Sequence, residues 1–249
     1  MATLEQMGVQ LYLPQIDVTD EQAMTTLFAQ LRDTTRSFPP LRGIIHAAGI
    51  LEREASAGSA WADSAAILAP KIAGSWHLHN LTQTLALDFF VLFSSASALL
   101  GLTGHGDYAA ANAFLDALAA YRQQLDQPAL SISWGDWAEV GMVAKARSDQ
   151  RHTLAKPLQV SEGIVALLHL LDRQGHIGVM QINWQRFVDL MQAHRVFLAN
   201  CVGEAQPSQA EMTTQAAAAK PTDLRSQLAQ TPIAERPAWL TADHPGARA

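Results

Sequence analysis

Cysteine is nearly absent from this chain of 249 residues, which contains only Cys201. A single thiol excludes an internal disulfide and any zinc site built from cysteines. The nine histidines do not compensate, because none of them forms the H-x-x-x-H or H-E-x-x-H spacing of a metal-binding helix. We therefore expect no metal site.

Basic clusters and long apolar runs are also missing. The net charge is −6, and no stretch concentrates lysine and arginine, so nucleic acid is not an expected partner. No apolar run reaches 18 residues and no signal peptide is recognisable, which argues against a membrane partner and makes the cytoplasm the default location. With 49% hydrophobic residues, the chain has enough material for one packed domain and an appendage.

The hydrophobic pattern alternates between strands and helices. Strands are predicted at 9–12, 41–46, 89–93, 129–134 and 177–182, and helices at 20–36, 61–86 with a break at Pro70, 108–124, 161–171 and from 184 onward. Asp17 or Thr19 is expected to cap the helix at 20–36, and Ser161 is expected to cap the helix at 161–171. This alternation predicts an α/β fold with a doubly wound, Rossmann-like parallel sheet.

The most informative segment is 89–112, FFVLFSSASALLGLTGHGDYAAAN. Its apolar strand ends in Ser94 and Ser95, and Tyr108 and Asn112 follow one helical turn apart, so they share a face. Ligands of open α/β sheets bind outside the carboxyl ends of the strands. The segment therefore places hydroxyl, phenol and amide groups where a substrate would lie.

The glycines of this segment are not a dinucleotide fingerprint. Gly101, Gly104 and Gly106 spell G-x-x-G-x-G, the reverse of the expected G-x-G-x-x-G, and seven residues separate them from the strand. We interpret this loop as lying on the substrate side.

Several motifs together carry a family resemblance. They are the segment above, GIIHAAGI (43–50), LAPKIAGSWHLHNLT around Lys71, NAFLDALAAYR (112–122) and SISWGDWAEVGM (131–142). In this order they resemble the ketoreductase domains of modular polyketide synthases, a branch of the short-chain dehydrogenase/reductases, over residues 9 to 190. In that branch the catalytic lysine comes from the preceding helix and an asparagine stands beside the tyrosine, as Lys71 and Asn112 do here.

The resemblance implies catalytic roles for four residues. Tyr108 would donate the proton, the Lys71 ammonium would lower the phenol pKa, and Ser95 would bind the carbonyl oxygen. Asn112 would hold a water molecule or Lys71. Taken singly, each also suits a structural role: Tyr108 as a packing residue, the serines as a turn, and Lys71 as a solvated first-turn lysine.

The resemblance also implies NADPH as cofactor, although only part of its site is expected. Asp17 and Val18 correspond to the region near the adenine, and Ala47, Ala48 and Gly49 form a small-residue turn that admits a ligand. Nothing before residue 9 resembles the first strands and the glycine-rich phosphate loop, so residues 1–200 are interpreted as the C-terminal portion of the domain. The missing N-terminal half is then an expected partner.

Composition changes after residue 200. Residues 201–221 are rich in Ala, Gln, Pro, Thr and Ser and are interpreted as a linker, and 222–249 as a helical tail. This tail is either the start of an acyl carrier protein or a stray helix, and no D-S-L attachment site follows it.

The expected function is NADPH-dependent reduction of a β-ketoacyl thioester, tethered by phosphopantetheine to an acyl carrier protein, alongside other synthase domains. The alternatives are a catalytically inactive, truncated or structural domain that acts as a scaffold, and a reductase of free small molecules. Product configuration stays open, because neither family marker is present at Leu51-Glu52-Arg53 or at Leu100.

We expect the chain alone to bind NADPH weakly, to reduce no substrate and to self-associate. The pyrophosphate is normally held by backbone N–H groups at a helix N-terminus, and no such loop is identified. An uncovered sheet edge also invites association. Fluorescence titration with NADPH measures this, and saturable micromolar binding to a monodisperse monomer would contradict it.

Overall fold

In a computed structural model of the protein, residues 6–36, 38–50, 61–101, 105–140 and 155–184 are described. Their strands are, in chain order, β1 (Gly43–His46), β2 (Phe89–Ser95), β3 (Leu130–Trp134), β4 (Ala155–Lys156), β5 (Gly175–Val179) and β6 (Gln181–Ile182). β1, β2, β3 and β5 form one parallel sheet in that order, and β4 pairs with β6 in a separate antiparallel pair. The predicted α/β, Rossmann-like parallel sheet is confirmed.

The helices lie on both faces of this sheet. They are α1 (Glu21–Arg32), α2 (Trp61–Thr82), the short α3 (Ala96–Leu100), α4 (Gly106–Gln124) and α5 (Val160–Leu170). Side chains of β2 alternate between the two faces, so that Phe90 and Leu92 pack with α1, α2 and α4, and Val91 packs in the cluster that α5 covers. This alternation explains why the strand is apolar throughout.

The chain divides into two compact units, Met1–Gln192 and Ala193–Ala249. Every described residue belongs to the first unit. The predicted linker 201–221, the predicted tail 222–249 and the marker residues 51–53 lie outside the described residues. No described helix is long and apolar enough to span a membrane.

The predicted strand at 9–12 is wrong. These residues have no regular structure, and among the described strands none pairs with them. A short extended segment is stable only when a neighbouring strand takes up its backbone hydrogen bonds.

Two predicted helix caps are also wrong. Asp20 caps α1 by accepting a hydrogen bond from the Ala23 N–H, while Asp17 accepts from Thr19 in the turn before it. The cap of α5 is Gln159, in a capping box with Glu162, and Ser161 lies inside the helix.

The predicted break at Pro70 does not occur, because α2 runs continuously from Trp61 to Thr82. Proline removes a helical N–H, so tertiary contacts must hold this helix together. One contact joins His46 Nε2 to the Pro70 carbonyl oxygen at 3.1 Å. Another is close packing at Gly74, where a Cβ would lie 2.8 Å from Val18 Cγ2.

Candidate active site

The site lies at the carboxyl end of β2, where Ser94 and Ser95 point to different surroundings. Ser94 is buried and donates a hydrogen bond to the Asn112 carbonyl oxygen at 3.2 Å. Ser95 is the N-cap of α3, and its Oγ accepts hydrogen bonds from Ser97 N at 3.2 Å and from Ser97 Oγ at 3.0 Å. A hydroxyl has one donor and two acceptor positions, so the hydrogen of Ser95 stays available to a third group.

Tyr108 and Asn112 lie on α4 and face this strand end. Tyr108 forms side-chain hydrogen bonds with Ser95 and with Asn112. Asn112 is fully buried, its Nδ2 donates to the Tyr108 carbonyl oxygen at 2.7 Å, and its Oδ1 has no partner among the described residues. A buried acceptor without a partner is costly, which indicates that a water molecule or a bound group belongs there.

Lys71 reaches the same place from α2. Its side chain is buried, and Nζ donates to the Phe93 carbonyl oxygen at 2.8 Å and lies 5.9 Å from the centroid of the Tyr108 ring. A Cβ at Gly49 would lie 3.0 Å from Lys71 Cε, so the small residue leaves room for the lysine. The structure thus brings Lys71, Ser95, Tyr108 and Asn112 together.

Burial has the largest effect on the pKa values of Lys71 and Tyr108. It lowers the pKa of Lys71 to about 8, although the Asp116 carboxylate acts in the opposite direction. It raises the pKa of Tyr108, and the hydrogen bonds with Ser95 and Asn112 only partly offset this. The resemblance implied a lowered phenol pKa, whereas the pKa of Tyr108 is raised because burial disfavours the phenolate.

The residues expected near a cofactor lie at the carboxyl edge of the sheet or beside it. The Asp17 carboxylate is exposed, and two hydrogen bonds from Thr19 lower its pKa, so it stays ionised at neutral pH. The Val18 carbonyl oxygen lies 3.2 Å from His77 Nδ1 of α2. Ala47, Ala48 and Gly49 follow β1 directly, and Gly49 lies against Lys71. No group of His, Cys, Asp and Glu that could hold a metal is present among the described residues.

Two polar residues of this neighbourhood, the buried His46 and the partly buried Asp116, were not predicted from the sequence. His46, at the end of β1, anchors α2 next to Lys71 through the Pro70 carbonyl. Asp116, four residues after Asn112, accepts a hydrogen bond from Ser131 of β3 at 2.6 Å. The spacing 108, 112, 116 marks one helical face and offered a signal for Asp116, whereas no sequence spacing links His46 to Pro70.

His46 should make folding sensitive to acid. Burial, and secondarily the Lys71 charge, lower the pKa of His46 to about 4. Between pH 6.5 and 4 the unfolded chain therefore takes up a proton that the folded chain does not, and stability is lost as the pH falls through this window. The loss should approach about 3 kcal/mol.

Urea unfolding of the wild type and His46→Gln between pH 4 and 7 measures this contribution. Glutamine keeps a donor for Pro70 but does not titrate, so His46→Gln should lose less stability on acidification. His169→Gln, at an exposed histidine, is the matched control and should follow the wild type. Identical pH slopes for the wild type and His46→Gln would refute the assignment.

Comparisons with known proteins place the chain in a family. The family model described as "KR domain" matches residues 1–139. Polyketide synthase GfsB of Streptomyces halstedii is 40% identical over 169 residues, which are 66% of this chain and 3% of that synthase. Polyketide synthase GfsA of the same organism is 36% identical over 246 residues, 94% of this chain and 3% of that synthase.

A solved structure agrees as well. The A-type ketoreductases from a modular polyketide synthase superpose with a TM-score of 0.71 at 34% identity, covering 77% of this chain and 40% of that one. The chain thus spans a small part of the synthases and less than half of the ketoreductase chain. By the family match, the sequence identity and the shared fold, the protein belongs to the KR domain family, the ketoreductase domains of polyketide synthases.

Proposed function

We propose that this chain carries the proton-donating and carbonyl-binding part of a β-ketoacyl reductase. The reaction is NADPH-dependent reduction of a β-ketoacyl thioester, held on an acyl carrier protein by phosphopantetheine, to the β-hydroxyacyl thioester. One observation carries the proposal: Lys71, Ser95 and Tyr108 converge from three elements at the carboxyl end of β2.

The reaction adds a hydride to the carbonyl carbon and a proton to the carbonyl oxygen. NADPH supplies the hydride when bound. Tyr108 gives its phenolic proton to the oxygen, and the Ser95 hydroxyl donates a hydrogen bond to the same oxygen as negative charge develops. Ser97 occupies both acceptor positions of Ser95, which leaves its hydrogen directed to the site.

Lys71 and Asn112 support the proton donor. The Lys71 ammonium stabilises the phenolate that remains once Tyr108 has lost its proton. The free Oδ1 of Asn112 offers an acceptor to a water molecule that returns the proton.

The residues before α1 and those after β1 fit the nucleotide. The ionised Asp17 carboxylate suits the amino edge of adenine, with Val18 beside it. The small side chains of Ala47, Ala48 and Gly49 let a cofactor approach the backbone next to Lys71.

The partners are proposed from the family. The relatives GfsA and GfsB are synthases far longer than this chain, so other synthase domains and an acyl carrier protein are the proposed partners. Assaying the chain alone and joined to the N-terminal segment of an A-type ketoreductase tests the function. NADPH oxidation with a β-ketoacyl thioester supports the proposal, and none in either form favours the alternative of an inactive, structural domain.

Tyr108→Phe should lower turnover in the joined protein by roughly 10²–10⁴-fold without loss of folding, because only the acidic hydroxyl is deleted. Tyr121→Phe, on the same helix but 44% exposed, is the matched control and should keep wild-type turnover. NADPH oxidation and circular dichroism measure the two effects. Turnover of Tyr108→Phe within a few-fold of the wild type would exclude it as proton donor.

Lys71→Met should lower turnover and move the alkaline limb of the pH–rate profile to higher pH. In the wild type this limb should follow loss of the Lys71 proton, because its pKa is about 8. Without Lys71, the limb follows Tyr108, whose pKa is raised. Lys156→Met, at an exposed lysine, should leave the profile unchanged. If the alkaline limb of the pH–rate profile does not move in Lys71→Met, Lys71 has only a structural role.

A further inference from the structure

A buried carboxylate lies behind the site, on the face of α4 that carries Tyr108 and Asn112. The side chain of Asp116 is 13% exposed. The Ser131 hydroxyl of β3 donates to its Oδ1 at 2.6 Å, and His176 Nε2 of β5 lies 3.4 Å from the same oxygen. The carboxylate is thereby hydrogen-bonded to β3 and lies against β5.

Lys71 is a buried cation, and among the described residues its ammonium donates to a backbone carbonyl, that of Phe93. A carbonyl dipole does not neutralise a charge, and an isolated ammonium is strongly disfavoured in a protein interior. Such an ammonium needs a negative charge within a few ångströms.

Asp116 is the carboxylate that acts electrostatically on Lys71, and it lies over the adjacent strand. Lys71 is bonded to β2 at Phe93, and Asp116 to β3 at Ser131, which pairs with Leu92, the neighbour of Phe93. Adjacent strands are about 5 Å apart, so the two charges lie over neighbouring strands at nearly the same level.

We propose that Asp116 is a positioning residue of this site, whose carboxylate supplies the negative charge that balances the buried Lys71 ammonium. The consequence for turnover rests on the proposed reductase function, whereas the charge pairing itself does not.

Other titratable groups also face these two side chains. His46 of β1 lies near Lys71 but has a pKa of about 4, so it is neutral when the lysine titrates. Tyr108 of α4 is neutral below its raised pKa. Asp136, after β3, acts on Tyr108 and raises its pKa. On the side of Asp116 the facing group is His176.

The hydroxyls beside Asp116 form a series of hydrogen bonds that does not conduct protons. With its hydrogen on Nε2, His176 donates to Ser133 Oγ at 2.8 Å, Ser133 donates to Ser94 Oγ at 3.4 Å, and Ser94 donates to the Asn112 carbonyl oxygen. A backbone carbonyl cannot pass a proton on. The chain therefore fixes the register of α4 on the sheet, and with it the place of the carboxylate.

The test is a direct titration of Lys71 in the purified chain. Because the sequence has four lysines, Lys71, Lys145, Lys156 and Lys220, labelling with ¹³Cε-lysine gives a simple NMR spectrum, which Lys71→Met assigns. In Asp116→Asn, Lys71 should lose its proton roughly one pH unit lower than in the wild type. Asp116→Glu, which keeps the charge, should restore wild-type titration.

Two further variants sharpen the test. Asp88→Asn removes one carboxylate from the exposed Arg42 pair at the opposite end of β2, so Lys71 should titrate there as in the wild type. Asp116→Ala removes the charge without leaving a buried amide, and replaces Asp116→Asn should the latter not fold. In the joined reductase, Asp116→Asn should move the alkaline limb to lower pH, the direction opposite to Lys71→Met.

The outcomes separate this inference from the proposed function. A lower pKa of Lys71 in Asp116→Asn than in the wild type supports the inference even where no reductase activity is found. In that case only the proposed function is contradicted. If the pKa of Lys71 in Asp116→Asn and Asp116→Ala equals that in the wild type, the inference is overturned, whatever the reductase activity. An equal shift in Asp88→Asn also overturns it, because the effect would then be one of net charge.

Discussion

Burial of the Lys71 ammonium at the carboxyl end of β2 is the constraint on which the rest of the site depends. Removing a cation from water is costly, and the chain offsets this with the Phe93 carbonyl at 2.8 Å and the charge of Asp116. The residual cost appears as a pKa of about 8. An ammonium that gives up its proton this close to neutrality is well suited to a site that exchanges protons.

Placing that cation requires a helix that its own sequence disfavours. Proline at position 70 should interrupt α2 immediately before Lys71. The contact of His46 with the Pro70 carbonyl and the close approach of Val18 at Gly74 hold the helix against the sheet. The geometry of Lys71 is therefore maintained by β1 and the segment before α1, both remote in sequence.

Because side chains alternate along a β-strand, the adjacent Ser94 and Ser95 have different roles. Consecutive side chains of a strand point to opposite faces. Ser94 turns inward to the carbonyl of Asn112, while Ser95 caps α3 and bonds with Tyr108. One strand end thus both fixes the position of α4 and provides a hydroxyl to the site.

The sequence by itself determined the alternation of strands and helices, the family and the convergence of Tyr108, Asn112 and Ser95, because these depend on local periodicity and on order along the chain. It did not determine the continuity of α2 through Pro70, the absence of a strand at 9–12, or the cap of α5. The first two are decided by partners distant in sequence, or by their absence among the described residues, whereas the cap of α5 depends on the local hydrogen bond from the Gln159 N–H to Glu162. The direction of the Tyr108 pKa shift and the pairing of Asp116 with Ser131 and His176 were likewise decided only by tertiary structure. Burial and electrostatic interaction depend on distances between elements, and those distances exist only once the helices have packed on the sheet.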